Sequence, residues 1–169
     1  MRMGGPPIFT HMEEREALLL LGGNLGDPRA TLTRAAMLIG ARAGTVVAQS
    51  RDHWTEPWGF NAEQLFLNRA LIVRTSLSPE ALLRALLEIE RELGRVRVDK
   101  GGYTSRTIDI DLLLQGAETF ATPALTLPHP RMHQRWFALA PSADVAPGWM
   151  HPLLGHSILD LLNDLRPQR

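Results

Sequence analysis

Short apolar runs alternate with amphipathic segments along this chain, and the pattern predicts a mixed fold. Four runs predict strands, at 16–21, 45–54, 67–75 and 108–114. Two helices are predicted, at 28–42 and 79–93, because each begins with a capping residue followed by proline. The order β-α-β-β-α-β is the split arrangement of ferredoxin-like folds, so an α+β protein is expected.

The remaining segments complete a single predicted domain. Residues 126–147 predict an irregular or short-helical stretch, and 157–165 predict a final amphipathic helix. No internal repeat or linker interrupts 16–169, which we expect to form one domain. Residues 1–15 are rich in glycine and proline and then charged, and we expect a disordered lead-in. The spacing of apolar residues in the first helix predicts an inward face made of Leu32, Ala35, Ala36 and Ile39.

Two aspartates interrupt the apolar strand predicted at 108–114. Asp109 and Asp111 are two residues apart, so their side chains share one face of that strand. The opposite face is predicted to carry Ile108, Ile110, Leu112 and Leu114. Two like charges roughly 7 Å apart repel unless a cation lies between them. The pair is therefore a candidate Mg²⁺ site, and the alternative is a solvated strand face.

Basic chemistry near this strand comes from arginine. Lys100 is the only lysine among 18 basic residues and no Gly-Lys pair exists, which excludes a P-loop. Arg95, Arg97 and Arg106 precede the strand and suit bidentate contacts with phosphate. For Arg95 and Arg97 the alternative is stabilisation of the C-terminal end of the preceding helix. Carboxylates beside arginines indicate magnesium–nucleotide chemistry.

Two other segments carry polar groups suited to a ligand. Thr55 and Trp58, with Phe66 and Asn68, suggest a site for a flat heterocycle, because asparagine offers both a donor and an acceptor and an aromatic ring can stack. The alternative is that Phe66 is a core residue. His129 is followed four residues later by a second histidine, but the glutamate of a zinc-protease helix is missing. Phosphate contact by His129 is therefore favoured over zinc.

Bulk composition narrows the possible partners. The net charge is zero, from 18 basic and 18 acidic residues, which argues against nucleic-acid binding. Cysteine is absent, which excludes disulfides and thiol catalysis and fits the cytoplasm. No apolar run approaches the roughly 20 residues that span a bilayer, and no signal-peptide core is visible. We expect a cytoplasmic monomer with no membrane partner.

Six segments together resemble the 6-hydroxymethyl-7,8-dihydropterin pyrophosphokinase family of folate biosynthesis. They occur in the family's order over nearly the whole chain: LGGNLGD at 21–27, TEPWG at 55–59, FLN at 66–68, GRVR at 94–97 after Glu90, SRTIDID at 105–111, and LPHP at 127–130 continuing to RWF at 135–137. The resemblance implies a three-layer α/β/α sandwich with a ferredoxin-like core and a mainly antiparallel sheet. It also implies an ATP-dependent diphosphokinase that forms AMP and the pterin diphosphate.

The resemblance further implies roles for individual residues. Two Mg²⁺ ions would be bound by Asp109 and Asp111, and these aspartates with Arg95, Arg97 and Arg106 would form the catalytic group. The other ATP-side positions match Glu90, Leu112, Thr126, His129 and Arg135. The pterin pocket would be formed by Gly22, Thr55, Pro57, Trp58, Phe66, Asn68 and Phe137.

Two other functions are compatible with parts of the sequence. One is a non-catalytic ferredoxin-like module that binds a small ligand or nucleic acid, but a single tyrosine and zero net charge argue against RNA binding. The other is a metal-dependent glycosyl or nucleotidyl transferase that uses the Asp-x-Asp pair. That function leaves the segment from Thr55 to Asn68 unexplained.

Overall fold

The computed structural model describes residues 13–56, 65–94 and 107–165. The strands within them are β1 (Arg15–Gly23), β2 (Thr45–Gln49), β3 (His53–Thr55), β4 (Phe66–Thr75), β5 (Asp109–Gln115), β6 (Phe120–Ala121) and β7 (Thr126–Leu127). The α-helices are α1 (Pro28–Arg42), α2 (Pro79–Glu92), α3 (Trp136–Val145) and α4 (Ile158–Leu165), and a 3-10 turn covers Met132–Gln134. None of these helices combines the length and apolar character needed to cross a bilayer.

The main sheet has the strand order β2-β4-β1-β5, and β3 also pairs with β4. All of its pairings are antiparallel. Apolar residues of α1 and α2 pack with one face of the sheet, and those of α3 and α4 pack with the other. The predicted ferredoxin-like α+β core in three layers is therefore confirmed.

The central strand β1 is buried on both faces. Leu19 and Leu21 belong to the core beneath α1 and α2, whereas Leu18 and Leu20 belong to the core beneath α3 and α4. Full burial of a leucine side chain contributes about 1.5–3 kcal/mol. A strand between two helical layers is stabilised on both sides, and this is why its sequence is continuously apolar.

Local signals fix the helix ends as predicted. Asp27 caps α1 by accepting the Ala30 N–H at 3.2 Å, and Ser78 caps α2 by accepting the Ala81 N–H at 3.2 Å. Gly94 follows α2 with φ of 90°, a conformation that favours glycine. The predicted inward face of α1 is confirmed, because all four of its residues are buried.

The prediction of one strand over 45–54 is wrong, because the chain leaves the ladder at Ser50. The Ser50 N–H donates to the Ala70 carbonyl at 2.9 Å, and the Ser50 Oγ accepts the Ala70 N–H at 2.9 Å. Two residues later Asp52 accepts a hydrogen bond from Arg69 Nε at 2.8 Å. The Ala70 N–H therefore bonds to the side chain of Ser50 and not to a backbone carbonyl of a continuing strand. Pairing with β4 resumes only in β3.

The register of β5 contains one irregularity that the sequence did not reveal. Leu19 pairs with Leu112 whereas Leu18 pairs with Leu114, so Leu113 is an extra residue in the ladder. This β-bulge puts Leu113 and Leu114 in the same core, beneath α3 and α4. The prediction that Leu114 shares a face with Ile110 is therefore wrong, although it holds for Leu112.

The segment predicted as irregular or short-helical contains a complete helix. α3 runs for ten residues and includes Pro141. The run from Ala138 to Ser142 is buried, and the Ser142 hydroxyl donates to the Ala138 carbonyl at 2.6 Å. Burial of this apolar run outweighs the hydrogen bond that Pro141 cannot make.

Candidate active site

The two aspartates lie near the start of β5, on the face directed toward α3 and α4. Asp109 pairs with Gly22 of β1, and Asp111 pairs with Leu20. Both aspartates are half-buried. Between them, the Ile110 N–H donates to Glu90 Oε1 at 2.7 Å. Glu90 itself is only 3% exposed, so a buried carboxylate at the end of α2 holds the backbone that joins the two aspartates.

These aspartates line an open groove of about 440 Å³ between α2, β5 and the segment that leads to α3. All seven predicted ATP-side and metal residues that the structure describes line this groove: Glu90, Asp109, Asp111, Leu112, Thr126, His129 and Arg135. They come from four separate parts of the sequence. The fold therefore brings this set together, and the role of each residue stays a prediction.

Four further apolar residues line the groove, and the candidate site predicted from the sequence did not include them. Leu83 and Leu87 of α2 line it together with Pro123 and Ala124 from the turn between β6 and β7. Leu83 and Leu87 are four residues apart on a helix and so share a face, which is a signal that could have been used. Pro123 and Ala124 carry no such signal, because their position depends on the tertiary fold.

His129 is held as a neutral imidazole in this groove. Burial, together with the positive charge of Arg135, lowers the pKa of His129 from 6.5 to about 4, although Asp109 opposes the shift. The Nδ1 atom accepts the Arg131 N–H at 3.2 Å, so the proton of the neutral ring lies on Nε2. The His129 N–H donates to the carbonyl of Leu113 at 2.9 Å, which attaches this residue to β5.

Four of the predicted pterin residues, Gly22, Thr55, Phe66 and Asn68, lie on β1, β3 and β4 of the sheet that carries the aspartates. Asn68 of β4 is 5% exposed and donates from Nδ2 to Thr55 Oγ1 at 3.1 Å. Phe66 pairs with Thr55 across β4 and β3. A Cβ atom on Gly22 would lie 3.2 Å from Asn68 Oδ1. Because glycine has no side chain, the space beside the Asn68 amide stays free.

Phe137 is the second residue of α3, and it connects the two groups of predicted residues. The helix packs on β3 and β4, which carry Thr55, Phe66 and Asn68. The Arg135 guanidinium lies 5.6 Å from the centroid of the Phe137 ring, within the range of a cation–π contact. Arg135 itself lines the groove of the aspartates. The residues predicted for the pterin and those predicted for ATP therefore meet at the start of α3.

Five predicted site residues lie outside the described residues: Pro57, Trp58, Arg95, Arg97 and Arg106.

The donor set at β5 fits Mg²⁺. Across 13–56, 65–94 and 107–165, no group of three or more His, Asp or Glu could hold a metal ion by itself. Mg²⁺ is usually bound by one or two carboxylates and completes its coordination with water and substrate phosphates. Asp109 and Asp111 in an open groove supply this kind of partial ligand set.

Comparisons with known proteins agree on one family. A family model described as 7,8-dihydro-6-hydroxymethylpterin-pyrophosphokinase (HPPK) matches residues 18–147. A relative from Porphyromonas gingivalis is 45% identical over 136 residues, which cover 79% of this chain and 92% of the relative. A relative from Methylorubrum extorquens is 40% identical over 152 residues, which cover 89% of this chain and 94% of the relative. Both are named 2-amino-4-hydroxy-6-hydroxymethyldihydropteridine pyrophosphokinase.

Solved structures show the same fold. A crystal structure of a Plasmodium falciparum HPPK-DHPS variant matches with a TM-score of 0.72 at 16% identity, over 90% of this chain and 44% of that one. The wild-type HPPK-DHPS of that organism with pteroate gives a TM-score of 0.72 at 14% identity, over 90% of this chain and 44% of that one. The family model and the two relatives establish that this chain belongs to the 7,8-dihydro-6-hydroxymethylpterin-pyrophosphokinase family.

Proposed function

We propose that the chain transfers the β,γ-diphosphate of ATP to 6-hydroxymethyl-7,8-dihydropterin, giving AMP and the pterin diphosphate for folate biosynthesis. The observation that carries this proposal is the position of Gly22, which pairs with Asp109 on one side and with Asn68 on the other. Neighbouring strands are about 4.8 Å apart, so the backbones of Asp109 and Asn68 are about 10 Å apart. That span suits a pterin ring at Asn68 whose hydroxymethyl arm reaches phosphates at Asp109.

On the ATP side, the chain supplies charge and fixed donors. Two Mg²⁺ ions bound at Asp109 and Asp111 would neutralise phosphate charge and polarise the attacking and leaving oxygens. Glu90 fixes the backbone between these aspartates. His129 presents its Nε2 proton to a phosphate oxygen, because its Nδ1 is already occupied by the Arg131 N–H. Diphosphate transfer depends mainly on such positioning and electrostatic stabilisation.

Arginines provide the remaining positive charge. Arg135 lines the groove and carries a delocalised cation that suits phosphate oxygens. We assign Arg95, Arg97 and Arg106 to the same triphosphate, with Arg106 stabilising the transferred group. We also assign Leu112 and Thr126, which line the groove, to ATP binding.

On the pterin side, recognition combines one amide with two aromatic rings. Asn68 reads the edge of the heterocycle with its amide, whose orientation Thr55 fixes by a hydrogen bond. Phe66 and Phe137 cover the two faces of the ring by stacking. Gly22 lies beneath the ring, and we assign Pro57 and Trp58 to pterin binding as well. We further propose that the enzyme works as a cytoplasmic monomer.

A product assay tests this function. The purified chain is incubated with ATP, Mg²⁺ and hydroxymethyl-dihydropterin, and AMP and ADP are separated by chromatography. We expect AMP only when the pterin is present. Asp109→Asn and Asp111→Asn are each expected to slow AMP formation about 100-fold or more, because metal-ion catalysis supplies several kcal/mol of charge stabilisation.

The exposed Asp164 of α4 provides a matched control, and Asp164→Asn is expected to keep the wild-type rate. Formation of ADP, or of AMP without the pterin, would contradict the proposed reaction. Wild-type rates in Asp109→Asn and Asp111→Asn would contradict the role proposed for the aspartates but not the proposed reaction.

A further inference from the structure

A carboxylate at the end of α3 is bound to the segment that forms β3. Asp144 Oδ2 lies 2.7 Å from His53 Nε2 and accepts the Arg51 backbone N–H at 3.2 Å. The Arg51 guanidinium adds contacts of 3.2 and 3.3 Å. Asp144 is separated from His53 by 91 residues in sequence, so this is a tertiary contact between a helix and a strand.

The two central side chains of this contact are largely shielded from solvent. The His53 side chain is 15% exposed and that of Asp144 is 19% exposed, whereas the Arg51 side chain is 82% exposed. Burial alone would raise the pKa of Asp144, but hydrogen bonds from Arg51 and His53 hold that pKa below its ordinary value. The Arg51 guanidinium is exposed, and an exposed ion pair contributes little to stability, whereas the contact with His53 is shielded from solvent.

Both elements joined by this contact, β3 and α3, also carry residues of the proposed pterin pocket. His53 pairs with Asn68, and its neighbour on the same face of β3, Thr55, pairs with Phe66. On α3, Asp144 lies seven residues after Phe137, which is two turns and about 10 Å along one helix face. Joining Asp144 to His53 therefore fixes the distance between Phe137 and the strands that carry the other pocket residues.

We propose that Asp144 and His53 are positioning residues for the pterin, which they do not touch. They hold α3 against β3 so that the ring of Phe137 stays at stacking distance from the pocket formed by Phe66 and Asn68. This inference rests on the proposed function, because it assumes that the pterin binds there. It assigns only a small effect on ATP binding, since Arg135 is the one lining residue of the aspartate groove that adjoins α3, and the other lining residues lie on α2, on β5 and in the segment from 123 to 130.

Direct binding measurements with four variants test the inference. Dissociation constants for hydroxymethyl-dihydropterin and for ATP are measured separately by calorimetry. His53→Ala and Asp144→Ala are expected to weaken pterin binding roughly tenfold, the loss of about one hydrogen bond to a charged group, with ATP binding changed by less than about twofold. His53→Gln is expected to recover most of the pterin affinity, because its Nε2 atom also donates at this reach. Arg51→Ala, which keeps the backbone donor, is expected to stay within about twofold of wild type.

A purely structural role would give a different result. In that case, His53→Ala and Asp144→Ala would lower the unfolding midpoint in urea and weaken both ligands alike, and the inference would be wrong. It would also be wrong if His53→Gln failed to recover pterin binding, or if Asp144→Ala did not fold and His53→Ala bound the pterin like wild type. Failure of the wild-type chain to bind pterin or to form AMP would instead reject the proposed function, and this inference with it.

Discussion

Replacement of Glu90 by alanine is the sharpest test of how the aspartates are held. Glu90 lies in the last turn of α2, where the helix dipole disfavours a negative charge, and its side chain is 3% exposed. The carboxylate accepts the Ile110 N–H at 2.7 Å, and this bond offsets part of the cost of burying its charge. Glu90→Ala removes that acceptor and leaves a backbone donor of β5 without this partner.

The expected cost follows from the burial of the bond. A hydrogen bond to a charged group contributes about 1.5–3 kcal/mol, and a buried donor that loses its partner costs about 1–3 kcal/mol. The two figures describe the loss of the same bond, so they are not added. We therefore expect Glu90→Ala to lower the free energy of unfolding by about 2–3 kcal/mol. Urea unfolding followed by circular dichroism at pH 7 measures this loss. Glu90→Gln keeps an acceptor oxygen and is expected to lose about half as much.

The same change is expected to affect catalysis through Asp109 and Asp111. Residues that orient metal ligands typically contribute 10- to 100-fold to metal affinity or activity. AMP formation by Glu90→Ala is therefore expected to need about tenfold more Mg²⁺ for half-maximal rate.

Glu88, exposed on the same helix, supplies the control, and Glu88→Ala is expected to change stability by less than about 0.5 kcal/mol. If Glu90→Ala matched Glu88→Ala in both measurements, the reasoning would be refuted. Lower stability with an unchanged Mg²⁺ requirement would refute only the link to the aspartates.

Three further predictions follow from single contacts. The imidazole of His129 is expected to titrate with a pKa of about 4 by NMR, and a midpoint above 6 would contradict its burial. This pKa in the folded chain lies below the ordinary value of 6.5, so the unfolded chain binds a proton at higher pH than the folded chain does. The contribution of neutral His129 to stability is therefore fully present above pH 6.5 and is lost as the pH falls to about 4. Leu86→Ala, at a fully buried position, is expected to cost about 2–5 kcal/mol in urea unfolding, and a loss below about 1 kcal/mol would contradict tight packing there. Gly22→Ala places a methyl group 3.2 Å from Asn68 Oδ1 and is expected to weaken pterin binding with ATP binding unchanged in calorimetry; equal effects on both ligands would contradict the location.

Local chemistry explains why much of the fold was predictable. α1 was predicted with its bounds and its buried face, because a capping aspartate, a proline and a regular apolar stripe all act within the helix itself. Asp109 and Asp111 were identified because an apolar strand makes a charged pair conspicuous. The family resemblance then connected these residues with Asn68, which lies on another strand and carries no metal signal of its own.

The features that were not predictable depend on contacts between distant residues. The interruption at Ser50 depends on Ala70, and α3 tolerates Pro141 because its apolar run is buried beneath the sheet. The contact between His53 and Asp144 joins residues whose neighbours in sequence give no hint of each other. Sequence periodicity reports which face of an element is buried, but it does not report which element covers that face.

The bulge at Leu113 shows how such a long-range feature serves the site. In a regular ladder the residues of β5 alternate between faces, and a shift by one residue would turn both aspartates toward α1 and α2. The irregularity falls after Asp111, so the register that pairs Asp109 with Gly22 is kept. The carbonyl of the extra residue, Leu113, accepts the N–H of His129. One inserted residue therefore leaves the aspartates beside the proposed pterin pocket and fastens the neutral histidine to the strand that carries them.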